Sequence, residues 1–247
     1  MLLRCIRAEN RKLRGSAIWL VFFVVPLISC LYGTVNFLGN QGMLSFTWYD
    51  LWTQHTLFYA LFFFAPMVGV YAAYLWRLEH LGRNWNLIMS APVRPLYLFA
   101  AKALALAKLV AFTQGWVFLL FLLCGKLWAR LPGWPPAQIF LWLLRGVAGS
   151  LPIVALELGL AMAIRSFAVP VLLGLAGGVS GMLIASKGGT RAGLFWPYSL
   201  MQMGMNSNKA EDVLGGSAPV FWTACLVWTA LIFAAAALWL RARDVEA

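Results

Sequence analysis

The chain has 247 residues, of which 62% are hydrophobic and only 11% charged. A soluble domain carries about a quarter charged residues, so a soluble fold is excluded and an integral membrane protein is expected. The net charge of +11 does not point to nucleic acid, because the basic residues sit at the ends of apolar runs and form no single soluble patch; they read as topology signals and contacts to anionic lipid.

In chain order, residues 1–16 are basic, with Leu3, Ile6 and Leu13 among the charges. An interfacial helix on the inner membrane surface and a solvated flank are both open readings. Leu27-Ile-Ser-Cys30 has the look of a lipoprotein cleavage box, but five more apolar runs follow and cleavage is not expected. A crossing needs about 20 apolar residues. Six runs qualify: Ala17–Phe37, Thr56–Trp76, Leu96–Cys124, Ala137–Ile164, Ala168–Ser186 and Ala218–Leu240. The fold class is therefore all-α, a single membrane domain of six helices over residues 1–247 with no linker to a second one. Pro26, Pro66, Pro152 and Pro170 are expected to kink or break their helices.

With the N-terminus inside, the inner segments hold eleven basic residues and the outer ones five, which predicts both termini inside. The inner stretch 77–95 is amphipathic: Leu78, Leu81, Trp85, Ile88 and Met89 recur at spacings of three and four. Such a helix outside the bilayer needs a receiver for its apolar face, either the membrane surface or a partner protein. On the outer side, Phe46, Trp48 and Tyr49 sit in one loop. Residues 188–217 form the longest loop, carrying Trp196, Tyr198 and Asn206, and are expected to make short helices dipping back into the outer leaflet.

For chemistry the chain offers little. It has no G-x-x-x-x-G-K-[ST] phosphate loop. His55 and His80 are predicted on opposite membrane sides, so no metal cluster is expected. The cysteines Cys5, Cys30, Cys124 and Cys225 form no close pair and read as small apolar packing residues. Gly178-Val-Ser-Gly181 matches the G-x-S-G of rhomboid proteases, but no histidine follows Ser180 to activate it. Gly174, Gly177, Gly178 and Gly181 instead offer a face for close helix approach. Charges inside spans mark function by default. Lys108 and Glu157 are expected at similar depths on adjacent antiparallel helices, paired or lining a polar path with Arg145, Asn36 and Gln114. Lys102, near the inner end of its run, is expected to snorkel without a role.

Across nearly its whole length the chain resembles the permease subunits of type-2 ATP-binding-cassette exporters, more narrowly those of lantibiotic immunity and bacitracin resistance. The likeness is carried by Asn36-Phe-Leu-Gly39, Trp52-Thr-Gln-His55, Tyr74-Leu-Trp-Arg-Leu-Glu79, Asn84-Trp-Asn-Leu87, Ala91-Pro92, Ser166-Phe-Ala-Val-Pro170, Trp196-Pro-Tyr-Ser199 and Met205-Asn-Ser-Asn208. The resemblance implies six spans, an N-terminal interfacial helix and a coupling helix between spans two and three. It also implies an outer hairpin before span six. Leu78, Leu81, Trp85, Asn86, Ile88 and Met89 would then dock on a separate cytoplasmic ATPase, with Arg77, Glu79 and Arg83 as rim. ATP and magnesium would sit on that ATPase and not in this chain. A second permease subunit, the lipid bilayer and an amphiphilic peptide would be the other partners, in a bacterial cell membrane. An ATPase-independent transporter or channel, coupled through Lys108 and Glu157, and a peptide-sensing scaffold are the competing readings.

Overall fold

The computed structural model describes residues 1–40, 42–81, 94–207 and 209–242. Among these residues every regular element is helical. Six stretches are long and apolar enough to span a membrane: Ile18–Gly39, Trp48–His80, Pro95–Trp128, Ala137–Ala163, Ala168–Lys187 and Gly215–Leu240. These match the six predicted runs in number and place, because hydropathy sets a crossing, while the second, at 33 residues, outruns its predicted run at both ends.

α1 is Leu2–Leu13. Leu2, Cys5, Ile6, Glu9, Asn10 and Leu13 turn inward at helical spacing, while Arg4, Arg7, Arg11 and Arg14 stay outside. Of the three apolar residues expected to anchor this segment, Leu3 is 72% exposed. α2 is Ile18–Gly39 and runs unbroken through Pro26.

The second crossing begins eight residues earlier than its apolar run. α3, Trp48–Phe58, starts at a capping box: Asp50 N–H donates to Thr47 Oγ1 at 3.3 Å, and Thr47 N–H donates to Asp50 Oδ2 at 3.2 Å. That pair satisfies two N–H groups that the helix start would otherwise leave open. A π-helical turn, Tyr59–Phe63, joins α3 to α4, Phe64–His80. It falls just before Pro66, whose missing N–H breaks the regular ladder there.

α5 is Pro95–Leu123, extended by a second π-helical turn, Cys124–Trp128. α6, Ala137–Ala163, passes through Pro152 without a break. α7 is Ala168–Lys187, with Pro170 in its first turn, where a missing N–H costs nothing. Two short helices follow, α8 (Gly189–Leu194) and α9 (Pro197–Gly204), then α10 (Ala218–Ala242).

Alternation of the six crossings puts α1, the α4–α5 connection and the α6–α7 link at one end, called here the basic end. The α8–α9 hairpin lies at the other. All eight residues of α9 are buried. The hairpin is therefore an internal plug between α6 and α7, deeper than the surface dip expected of it. Glycines make the slot. A Cβ on Gly149 or Gly146 of α6 would lie 2.5 Å from Leu200 O or 2.3 Å from Met205 Cγ. On α7, a Cβ on Gly177 would lie 2.5 Å from the Tyr198 ring, and one on Gly181 would lie 2.9 Å from Ser199 N. Gly174 and Gly178 admit α4 and the π turn in the same way, at 2.7 Å from Ala65 O and 2.8 Å from Leu61 O. The expected close-approach face is thus used on two sides.

Candidate functional sites at the two ends of the bundle

At the basic end, α4 terminates in Arg77-Leu-Glu-His80. Arg77 is exposed, and Leu78 and Leu81 are 49% and 51% exposed. They carry an apolar edge toward the α4–α5 connection. Arg83, Trp85, Asn86, Ile88 and Met89 lie outside the described residues.

Glu79, expected on a polar rim, is instead buried. Its Oε1 accepts from Lys12 Nζ at 2.5 Å and from Lys102 Nζ at 2.8 Å. Glu9 of α1 completes the group, accepting from Lys12 at 2.7 Å and from Lys102 at 3.1 Å. Lys102 Nζ also donates to Leu75 O at 2.5 Å and stands 4.7 Å from the centre of the Trp76 ring. Two carboxylates thus balance two ammoniums, and Lys102 has no exposed surface at all. Burial works against the charge on Lys12, but Glu9 and Glu79 outweigh it and hold its pKa above the ordinary lysine value. The cluster ties α1, the end of α4 and the start of α5 into one body.

Lys102 therefore does not snorkel; it is the buried charge whose structural part the sequence pattern left unassigned. The available signals were a lysine inside an apolar run and a lone glutamate, Glu9, in a basic segment. Neither named its partner.

Lys108 and Glu157 do not meet. Lys108 is exposed on α5 and donates to Asn10 Oδ1 of α1. Glu157 is fully buried and accepts from Tyr198 Oη at 2.7 Å. Lys108 reaches α1 of the basic end and Glu157 the hairpin of the other; the rotation of α5 and α6 about their axes, which spacing along a helix does not fix, points them to different neighbours.

At the hairpin end, the residues expected in free outer loops are structural. Trp48 is buried, donates from Nε1 to Pro132 O at 2.9 Å and lies under Lys126, whose Nζ is 5.5 Å from its ring centre. Tyr49 packs 5.5 Å from Trp142, centre to centre. Trp52 Nε1 donates to Met205 O at 2.7 Å, anchoring α3 to the end of the hairpin. Trp196 Nε1 donates to Ser180 Oγ at 3.2 Å, and that hydroxyl donates to Gly177 O at 2.9 Å. Ser180 is thus a packing hydroxyl without a base beside it.

Asn206 is fully buried with φ of 55°, a left-handed backbone that asparagine tolerates. Its amide N donates to Lys209 O and Glu211 O at 2.7 and 2.8 Å, and its Oδ1 accepts from Val213 N at 2.7 Å. It organises the turn after the hairpin. Arg145 does not line an open vestibule: Nη1 donates to both oxygens of Asp212 at 3.0 and 2.8 Å. Asn36 donates to Gln54 across α2 and α3, and Gln114 is fully buried inside the bundle.

Tyr198 and Glu157 make a buried tie between plug and bundle. Burial first, and Glu157 second, push the Tyr198 phenol well above its ordinary pKa, so it stays a donor. Tyr198→Phe strips the buried carboxyl of that donor and should cost about 1–3 kcal/mol. Adding Glu157→Leu should recover most of the loss, since removing both partners is far cheaper than removing one. Thermal unfolding of the purified variants checks this; equal melting of the single and double variants contradicts it.

Six apolar crossings, a charge-locked amphipathic helix at one end and a plugged slot at the other define a polytopic helical membrane protein. Among the described residues no group of histidine, cysteine and carboxylate side chains is arranged to hold a metal ion. A family model described as ABC-2 family transporter protein matches residues 5–181, and the chain belongs to that family. The match runs from α1 to the middle of α7. The chain is therefore a transporter permease subunit, of a kind that generally pairs with ATP-binding-cassette ATPase subunits. No curated protein and no solved structure matches it.

Proposed function

We propose that this chain is the permease of an exporter that removes an amphiphilic antimicrobial peptide, lantibiotic or bacitracin-like, from a bacterial cell membrane. The outcome is self-immunity or resistance. The basic end faces the cytoplasm, in keeping with eleven basic residues there against five at the hairpin end. The observation that carries the reading is the apolar edge of Leu78 and Leu81, exposed at the end of α4 where the chain enters the amphipathic connection. A separate ATPase, which holds ATP and magnesium, receives that connection in a groove, with Trp85, Ile88 and Met89 as buried anchors. Asn86, Arg77 and Arg83 border them.

Closure of two ATPase subunits pulls on this connection. The pull enters α4 and passes through Glu79 to Lys102 and α1, because buried ion pairs resist separation. A second permease subunit, identical or related, completes the export path. Aromatic and apolar surface at its outer end suits an amphiphilic peptide.

Trp85→Ala with Ile88→Ala should abolish co-purification with the ATPase while leaving membrane insertion intact. Full co-purification together with full peptide resistance in the double variant would falsify the docking assignment. Vanadate-sensitive ATP hydrolysis by the assembled complex should rise on adding a lantibiotic or bacitracin; no response to either removes that substrate class.

A further inference from the structure

A second feature of the basic end shares Arg77 and Leu81 with the docking edge but has its own chemistry. A cleft of about 200 Å³ opens between the end of α4 and the α6–α7 link, lined by Ala73, Arg77, His80, Leu81, Ile164, Arg165 and Phe167, among others. Its chemistry is one-sided. Arg77 and Arg165 are both exposed at it, and among the described residues no carboxylate lines it. The nearest acid in sequence, Glu79, is turned away and committed to Lys12 and Lys102.

The two arginines come from different elements, and each is placed. Arg77 lies over the Phe167 ring, with the guanidinium carbon 5.9 Å from its centre, which limits the swing of the side chain. Arg165 sits in the short link between the end of α6 at Ala163 and the start of α7 at Ala168. His80 Nε2 is bonded to Ala161 O at 2.7 Å, fixing α4 to the end of α6. Behind Arg77, a Cβ on Gly69 would lie 2.9 Å from Pro170 O, so α4 and α7 are in backbone contact there. The first turn of α7 adds its positive dipole end, with no acidic residue and no side-chain cap to neutralise it.

Position narrows the ligand. Three apolar spans begin or end at the cleft, so it stands at the level where a bilayer meets water. Ala73, Leu81, Ile164 and Phe167 supply apolar wall beside the guanidinium pair. The volume equals that of about seven water molecules in the liquid, enough for a phosphate and too small for a peptide or nucleotide.

We propose that this cleft binds the phosphate of an anionic membrane lipid, held by Arg77 and Arg165 with the glycerol end against Ile164 and Phe167. Arginine is suited to this role, because its planar fork meets phosphate oxygens in pairs. Occupancy joins the end of α4 to the α6–α7 link and so stiffens the base of the segment that leads to the connection. The free oxygens of an inorganic phosphate fit the same arginines, but the apolar wall favours the lipid.

The test uses the purified full-length permease alone, so its failure is separate from failure of ATPase docking. Native mass spectrometry in phosphate-free detergent is run with dioleoyl phosphatidylglycerol and, in parallel, dioleoyl phosphatidylcholine. One phosphatidylglycerol should be retained in preference to phosphatidylcholine. Arg77→Gln with Arg165→Gln should weaken that retention by at least about tenfold. Arg94→Gln, which removes an exposed arginine beside Tyr97 on the same side, should change nothing. Arg165→Gln alone, in an exposed link, gives an intermediate loss and serves if the double variant does not fold. Equal phosphatidylglycerol retention in the parent and both cleft variants overturns the proposal. An equal loss in Arg94→Gln also overturns it, leaving only diffuse surface charge. Displacement of the lipid by equimolar inorganic phosphate overturns the lipid assignment in favour of a soluble anion.

Discussion

Lys102→Met should lower stability by about 3–5 kcal/mol, the cost of leaving a buried charge without its partner. Lys102 is fully buried and contacts both Glu9 and Glu79. Without it, two carboxylates share the single ammonium of Lys12, which is itself partly exposed. The excess negative charge must then be protonated, hydrated or expelled. Expulsion moves α1 away from α5 and frees the end of α4. Adding Glu79→Gln restores the balance, with Glu9 facing Lys12, and should recover more than half of the loss. The contrast matters, because a well-packed apolar replacement for a whole ion cluster is often harmless. Thermal unfolding in detergent measures both variants. A Lys102→Met protein that melts with the parent shows that the cluster holds nothing together. A double variant no better than the single shows that the loss comes from packing and not from charge.

Gly149→Ala is expected to have the second large effect, and Gly159→Ala on the same helix the opposite one. A Cβ at Gly149 would lie 2.5 Å from Leu200 O, 2.7 Å from Leu200 C and 2.9 Å from Met201 Cα. These are backbone atoms of α9, which cannot rotate away as a side-chain tip can. Overpacking of this kind costs about 1–3 kcal/mol, and relief comes most easily by shifting the plug. A shift would also strain the Tyr198–Glu157 and Arg145–Asp212 bonds. At Gly159 the new methyl meets nothing within 4 Å. There the substitution should stabilise by up to about 1 kcal/mol, since alanine is the better helix former. Limited proteolysis across residues 188–217, with melting temperature, reads both. The prediction fails if Gly149→Ala keeps the parent's cleavage pattern and melting point.

The boundary of the second crossing shows where sequence reading stopped short. Trp48–His55 is too polar to join an apolar run, yet it is helical because Thr47 and Asp50 cap its start and α5 and α9 bury its aromatics. The T-x-x-D pattern was present as a local signal. Only the packing decides whether a cap is used, and so Trp48 and Tyr49 moved from loop to helix. Lys102 and Lys108 make the complementary point. Both are lysines in one apolar run, six residues apart, and one is buried in an ion cluster while the other is exposed beside Asn10. Their spacing turns them to different sides of α5, yet both reach α1, at Glu9 and at Asn10, and no property of α5 alone says which of the two is buried.

What the sequence by itself determined is the number and order of the crossings and the family, because hydropathy over about 20 residues is a local and additive quantity. It also determined that α7 would present glycines for close approach. What only the tertiary structure decided is partnership. Glu79 belongs to Lys12 and Lys102 and not to a rim, Glu157 belongs to Tyr198 and not to Lys108, and Arg145 belongs to Asp212. Such pairings depend on the rotation of each helix about its axis and on which helices are neighbours. Those variables are set by the summed packing of the whole bundle, in which no single segment's pattern is sufficient.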